Sequence, residues 1–261
     1  MRTLRVLVGC ECSGRVRDAF DKLGWEAWSA DLLPSESKPV RTCYPEPGRW
    51  HHYGSGGHGF HYQGDVRDLF NWNHPVNDNR SQEQRFSPIQ EHIPLWDLFI
   101  GHPPCDHLSY AGARWFKVKQ ADGRQQAGAD FFMEMVNAPS PMVAVENPHS
   151  IMQKLYRPPA QVVQPWMFGD PYVKGIHLWL KGLPRLIPVC REDDFPQLFR
   201  TATGGGSWRT DTAAGRNLMS AHEDSEGRRN RAKVRSRTFP GLAEAMAAQW
   251  GAYARGYYGG R

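Results

Sequence analysis

Leu4 to Leu33 reads LRVLVGCECSGRVRDAFDKLGWEAWSADLL, and its periodicity decides the fold. Leu4 to Gly9 is a short, continuous apolar run, the pattern of a strand buried on both faces. From Arg15 the spacing changes. Val16, Ala19, Phe20 and Leu23 recur at three and four residues, which is one face of an amphipathic helix, and Gly24 closes it. Trp25 to Leu33 returns to a strand pattern with Asp31 at its polar end. Strand, helix and strand in so short a span form a βαβ unit, whose crossover sets the two strands parallel.

Working outward, the alternation continues. Residues 34–62 contain prolines and a Gly/His/aromatic stretch, RWHHYGSGGHGFHY, and read as a long surface insertion. Tyr62 to Asp65 is a third short strand and Leu95 to Ile100 a fourth, running directly into HPPCD. A helix is predicted from about Gly123 to Asn137, with Ala127, Phe131, Met135 and Val136 as its apolar stripe. Pro141 to Val145 is a fifth strand, ending in Glu146-Asn147-Pro148; Gln161 to Phe168 and Ile176 to Leu180 are two more. A last helix spans about Gly241 to Tyr253. The pattern as a whole predicts an α/β fold.

Composition bounds the function. The chain has 261 residues, a net charge of +5, 40% hydrophobic and 12% aromatic residues, enough for one large domain or one domain with a small lobe. No apolar run approaches the roughly 20 residues of a membrane-spanning helix, and the N-terminus lacks a signal peptide's apolar region, so a cytoplasmic protein is expected. Five scattered cysteines, Cys10, Cys12, Cys43, Cys105 and Cys190, argue against a disulfide scaffold. The charge is only mildly basic, so its clustering matters more than its sum.

Three polar clusters sit where strands end: Asp31, Pro103-Pro104-Cys105 and Glu146-Asn147. In open parallel sheets ligands bind outside the carboxyl ends of strands, so these groups should converge on one cleft. Taken singly each has a plainer reading, Cys105 as a small buried hydrophobe and Asp31 as a turn cap. Together they resemble a known family. The segment DLFIGHPPCDHLSYAG, Asp97 to Gly112, looks like the nucleophile motif of the DNA (cytosine-5) methyltransferases, approximately GGPPCQxFSxAG. VAVENP, Val143 to Pro148, resembles that family's ENV motif. The loop GCECSG (Gly9 to Gly14), Asp31, Gly64-Asp65, PPC and EN also follow in the family's order, and RTFPGLAEAMAAQW, Arg237 to Trp250, resembles the closing motif of small phage-type members.

The resemblance implies a Rossmann-like S-adenosylmethionine-dependent methyltransferase fold, a mostly parallel sheet with helices on both faces and a small C-terminal DNA-recognition lobe. Residues 1–190 would be the catalytic domain, 191–236 a reduced recognition region, and 237–261 a helix returning to the core. It implies transfer of a methyl group to carbon 5 of a flipped-out cytosine in double-stranded DNA. The chemistry requires these residue types. Carbon 5 is a poor nucleophile until a thiolate adds to carbon 6, so Cys105 is expected to have a low pKa, with consecutive prolines fixing the sulfur's position. Glu146 would donate a proton at ring nitrogen 3, and Asn147 would orient Glu146 and the cysteine loop. Residues 106–123, with Ser109, would be the loop that closes over the base, and Asp106 a DNA contact. The cofactor implied is S-adenosylmethionine, with Asp31 at the ribose, Asp65 at the adenine amino group, and Cys10, Glu11, Ser13, Gly14 and Pro103 lining the rest.

This chain also departs from the pattern. His102 replaces a glycine, Asp106 a glutamine, and the loop Cys10 to Gly14 is poorer in glycine than FxGxGG. In the stretch GDPYVKGIHLWL, Gly169 to Leu180, Tyr172, Lys174 and Ile176 align with the family's QxRxR, so Lys174 is the remaining candidate for catalytic positive charge, with His177 near it. The run GRRNRAKVRSR supplies Arg228, Arg229, Arg231, Lys233 and Arg235 as phosphate contacts. His51, His52, His58 and His61, near Cys43, raise a zinc site, but no paired CxxC or HxxxH supports one, and no metal is expected. A monomer without an obligate protein partner is expected, acting in prokaryotic or phage-infected cells, with self-protection from a restriction system one purpose among several. Two other readings stay open: a catalytically silent DNA-binding relative, and an enzyme adding a different group to cytosine from a modified S-adenosylmethionine.

Overall fold

The computed structural model describes residues 3–37, 41–46, 49–53, 59–70, 96–196, 198–200 and 237–259. The βαβ unit is present as β1 (Arg5–Gly9), α1 (Arg15–Lys22) and β2 (Glu26–Asp31). Next come β3 (Arg41–Glu46), β4 (Arg49–Tyr53), β5 (Phe60–Gln63), β6 (Leu98–Gly101), β7 (Met142–Asn147), β8 (Gln161–Val163), β9 (Tyr172–Val173), β10 (Ile176–Lys181) and β11 (Phe199–Arg200). Helices α2 (Phe116–Ala121), α3 (Arg124–Val136) and α4 (Met152–Leu155) flank β7 in sequence. The chain ends in α5 (Pro240–Ala245), a π-helical turn (Met246–Trp250) and α6 (Gly251–Gly259).

One sheet runs β4-β3-β5-β2-β1-β6-β7-β10-β8. From β3 to β7 its pairings are parallel; β4, β10 and the β10–β8 pair supply the antiparallel edges. The segment β5-β2-β1-β6-β7 has the 3-2-1-4-5 order of a Rossmann-like sheet, and its direction of winding reverses between β1 and β6. The expected Rossmann-like α/β arrangement, a mostly parallel sheet with helices on both faces, is therefore what the described residues adopt.

Both faces of the sheet are buried, because the central strands alternate between two apolar clusters. Val6, Val8, Met142 and Ala144 face α1 and the C-terminal helices, where Phe20, Leu242, Met246 and Trp250 pack. Leu7, Phe99, Val143 and Val145 face α3 and its Phe132 and Met135. Phe132 meets Trp179 of β10 edge-on, with ring centroids 5.1 Å apart.

Several expectations need correction. The predicted insertion ends earlier than residue 62, because Phe60–Gln63 is a core strand in which His61 and Tyr62 are buried. Within the insertion β3 and β4 form a hairpin that extends the sheet; Pro45 lies past the last β3–β5 pair, Cys43 with Tyr62, where β3 pairs with β4 alone and the missing N–H is tolerated. Gln161 to Phe168 is a strand only to Val163, after which Pro165–Phe168 turns as a 3-10 helix. The presumed loop 106–123 is largely helical, with a 3-10 turn (Tyr110–Trp115) leading into α2.

Candidate active site at the strand ends

Register builds the site. Gly9 of β1 lies opposite Ala30 of β2 and Gly101 of β6, and Gly101 lies opposite Val145 of β7. One residue further along each strand, Asp31, Cys10, His102 and Glu146 therefore stand in a row at the carboxyl edge. Backbone bonds continue the alignment past the strands: His102 N–H donates to the Gly9 carbonyl (2.9 Å), Gly64 N–H to that of Asp31 (3.0 Å) and Glu11 N–H to that of Ala30 (3.1 Å). The strand ends that carry the polar residues thus stand level along one edge of the sheet, at the place where the winding reverses.

At the β6–β7 end, Asn147 is fully buried and donates from Nδ2 to the Pro103 carbonyl at 3.1 Å. That bond ties the turn carrying Cys105 to the strand carrying Glu146. Its Oδ1 is buried with no hydrogen-bond partner among the described residues. Pro103 is buried, Cys105 half-buried and Asp106 exposed. His102 Nδ1 sits 3.5 Å from Glu146 Oε2. Lys174, which follows β9, interacts electrostatically with both Glu146 and Cys105. Ile176, by contrast, is buried in the core, and no charge can stand there.

The electrostatics correct one expectation. Burial pushes the Cys105 thiol up to about 11, Glu146 and Asp106 add to the shift, and Lys174 only partly opposes it. The low-pKa cysteine is absent from the resting site, first because the sulfur is buried and then because two carboxylates face it. For Glu146, burial alone would raise the carboxyl, but the His102 hydrogen bond and the Lys174 charge outweigh it and hold the group below its ordinary value. The resting pair is therefore a thiol beside a carboxylate. His177, opposite Asn147 in the β7–β10 register, is pushed down by burial first and then by His149, whose ring lies 5.5 Å away.

At the β1–β2 end, Cys10 adopts φ 59°, a left-handed conformation that costs a residue with a Cβ about 1–2 kcal/mol. Its thiol is pushed up to about 12 by burial, then by Asp31 and Asp65, which places both carboxylates around it. Asp31 also accepts from Leu33 N–H at 2.9 Å, leaving Leu32 and Leu33 exposed at the crevice. Asp65 caps the turn Val66–Leu69 and is gripped by Arg67, with Nη2 at 2.6 Å and Nε at 2.9 Å, so its carboxyl titrates below the usual range. Sequence reasoning missed Arg67; a basic residue two after a capping aspartate was the available signal.

Comparisons add little weight. No family model and no curated protein matches the chain. Among solved structures that do match, one is a candidate DNA modification methyltransferase encoded within an E. coli prophage. It is 16% identical over 89% of this chain and 69% of its own, with a TM-score of 0.39. So distant a likeness carries no argument, and the site stands on its own geometry.

The remaining predicted residues distribute as follows. Glu11 turns inward: its carboxylate accepts from Val16 N–H (2.7 Å), Arg17 N–H (3.3 Å) and the Ser13 hydroxyl (3.1 Å), capping α1. Its side chain thus serves the helix rather than the crevice. Gly14 has φ 73°, and a Cβ there would lie 2.3 Å from Arg17 Nη2. Ser109 caps the 3-10 turn and forms a β-bridge with Ser150, tying the segment after Cys105 to the loop after Asn147. Arg228, Arg229, Arg231, Lys233 and Arg235 lie outside the described residues, as does His58. His61 is a core residue: Nε2 meets the Leu33 carbonyl (3.0 Å) and Nδ1 the Ser29 hydroxyl (2.9 Å), so both ring nitrogens are occupied. Among the described residues no group of three or more His, Cys, Asp or Glu could hold a metal, and no helix is long and apolar enough to cross a membrane.

Proposed function

We propose that the protein is a DNA methyltransferase that transfers a methyl group to carbon 5 of a flipped-out cytosine. The observation that carries this reading is the placement of Cys105, Glu146 and Lys174 in one electrostatic cluster, with Asn147 clamping the Pro103 carbonyl between them. Cys105 is the nucleophile at carbon 6 and Glu146 the group at ring nitrogen 3. Lys174 favours the anionic form of both and takes the place of the cationic side chain that Ile176 cannot supply. The target base must leave the duplex to reach this half-buried sulfur. In the segment that follows Cys105, Asp106, Arg114, Trp115, Lys117 and Arg124 are exposed and would be available to DNA.

The crevice between β1 and β6 suits S-adenosylmethionine. Asp31 and Asp65 supply acceptors for hydroxyl and amino groups, and exposed Leu32 and Leu33 offer apolar cover for an aromatic ring. When bound, the cofactor supplies an electrophilic methyl group. Gly14 and the Cys10 backbone shape the neighbouring loop, and Pro103 closes the other wall.

Trapping tests the reading directly. Duplex DNA containing 5-fluorocytosine, incubated with the protein and S-adenosylmethionine, should give a covalent complex that survives denaturation and is absent for Cys105→Ser. A wild-type protein that binds cofactor and DNA yet forms no adduct overturns it. A second reading, a catalytically silent DNA-binding relative, is favoured by the buried Ile176. It requires that no adduct form while Cys105→Ala keeps full DNA affinity. Mass spectrometry of nucleosides from expressing cells separates methylcytosine from a cytosine adduct of another mass, the signature of a modified cofactor.

A further inference from the structure

The β1–β6–β7 register sets His102 between two acids. On one side Glu146 Oε2 lies 3.5 Å from Nδ1; on the other Glu11, in the β1–α1 loop, interacts with the imidazole charge. The side chain is 7% exposed, and its Nε2 is buried with no hydrogen-bond partner among the described residues. Its backbone N–H is bonded to the Gly9 carbonyl, so the residue is fixed in the strand-end row. Other groups face the pair from every side. Cys105 and Asp106 share its loop, Lys174 follows β9, His177 stands on β10, and Arg17 lies behind Glu11. Glu146 thus meets the cleft as an anion, whereas nitrogen 3 of an attacked cytosine must receive a proton.

We infer that His102 is the proton store for Glu146: the two side chains hold one transferable proton, on Nδ1 at rest, which passes through Oε2 to the cytosine ring. The transfer balances. Once the Cys105 thiol has lost its proton to solvent, the Sγ–C6 bond forms from a sulfur lone pair and the ring's 5,6 π pair is displaced. Nδ1–H breaks as Oε2–H forms, and that Oε2–H breaks in turn as N3–H forms, leaving a neutral imidazole beside the Glu146 carboxylate. Elimination after methyl transfer runs these steps backwards, with the carbon-5 proton leaving to water. His102 is a positioning residue that acts through Glu146, and only its use at nitrogen 3 rests on the proposed reaction; the shared proton belongs to the unliganded chain.

Two measurements separate these parts. In isotope-labelled histidine NMR titrations, with His102→Asn identifying the signal, the His102 titration should move to lower pH by about one unit or more in Glu146→Gln. Single-turnover methyl transfer by wild type should be bell-shaped in pH, rising with the Cys105 thiolate and falling as the pair loses its proton. His102→Asn keeps a donor near Nδ1 but no transferable proton. It should be slower by roughly 100-fold and lack the falling limb, with DNA and cofactor affinities unchanged. A His102 titration indifferent to Glu146→Gln, or a His102→Asn profile that keeps both its rate and its falling limb, overturns the inference. A coupled titration together with a wild type that transfers no methyl group leaves the shared proton standing and removes the cytosine reading instead.

Discussion

Cys105 gives the sharpest quantitative expectation. Its thiol is displaced from an ordinary 9.0 to about 11. At pH 8 an ordinary thiol is about one-tenth thiolate, whereas Cys105 should be about one-thousandth, a ~100-fold suppression of the reactive form. Iodoacetamide labelling read by peptide mass spectrometry, with Cys105→Ser as the blank, should therefore accelerate about tenfold per pH unit from pH 7 to beyond pH 10. The neighbours set the direction of two further shifts. Glu146→Gln removes a carboxylate that raises the pKa and should bring the inflection down, while Lys174→Met removes the opposing charge and should send it higher. The reasoning fails if the wild-type rate levels off below pH 9, or if the two substitutions move the inflection the other way.

Other expectations concern stability. His61 is pushed down to about 4 from 6.5, mainly by burial, so the unfolded chain binds the extra proton. The stabilisation it represents is complete above pH 6.5 and lost as pH falls towards 4, on the order of 2–3 kcal/mol by pH 4.5, which urea unfolding at pH 7 and 4.5 would read. His61→Gln should abolish that portion of the pH dependence. Gly14→Ala places a methyl group against Arg17 in a left-handed backbone and should cost at least about 2 kcal/mol, a fall of roughly 4–8 °C in Tm by calorimetry. Phe132→Ala opens a void beneath Trp179 and should cost about 3–5 kcal/mol in urea denaturation; a loss below 1 kcal/mol would contradict the packing described.

Much of this arrangement was legible in the chain because its signals are local and repeated. The βαβ unit announces itself by a change of period from the run Val6-Leu7-Val8 to the helical spacing of Val16, Ala19 and Phe20, and both survive in the fold. Polar residues at the ends of β2, β6 and β7 marked the cleft because parallel strands in register bring their ends level. What stayed hidden depends on partners distant in sequence. Arg17 lies in the helix with no sign that it would be buried; Ser29 at 2.9 Å, Ser35 at 3.2 Å and Asp18 at 2.7 Å make that burial possible. Glu11 resembles a cleft residue in a linear reading, yet a carboxylate just upstream of a helix is also a cap, and the orphan N–H groups of α1 claim it. The thiol's high pKa could not be read from PPC alone, since Glu146 and Lys174 arrive from other strands.

Both ends of the stretch between Arg200 and Arg237 meet at β9. On the outgoing side β11 pairs with Tyr172 and Val173; on the return Phe239 packs on Tyr172 at 5.3 Å and beneath the Lys174 ammonium at 5.8 Å. Arg237 then pairs with Glu36 at 2.6 Å, and Arg15 bonds the Thr238 carbonyl at 2.7 Å, beside the first crevice loop. Residues 201–236 are thus bracketed like a cassette between two fixed clips. Both clips bear on the segment that carries Lys174, so loosening either would shift the charge that faces Glu146 and Cys105.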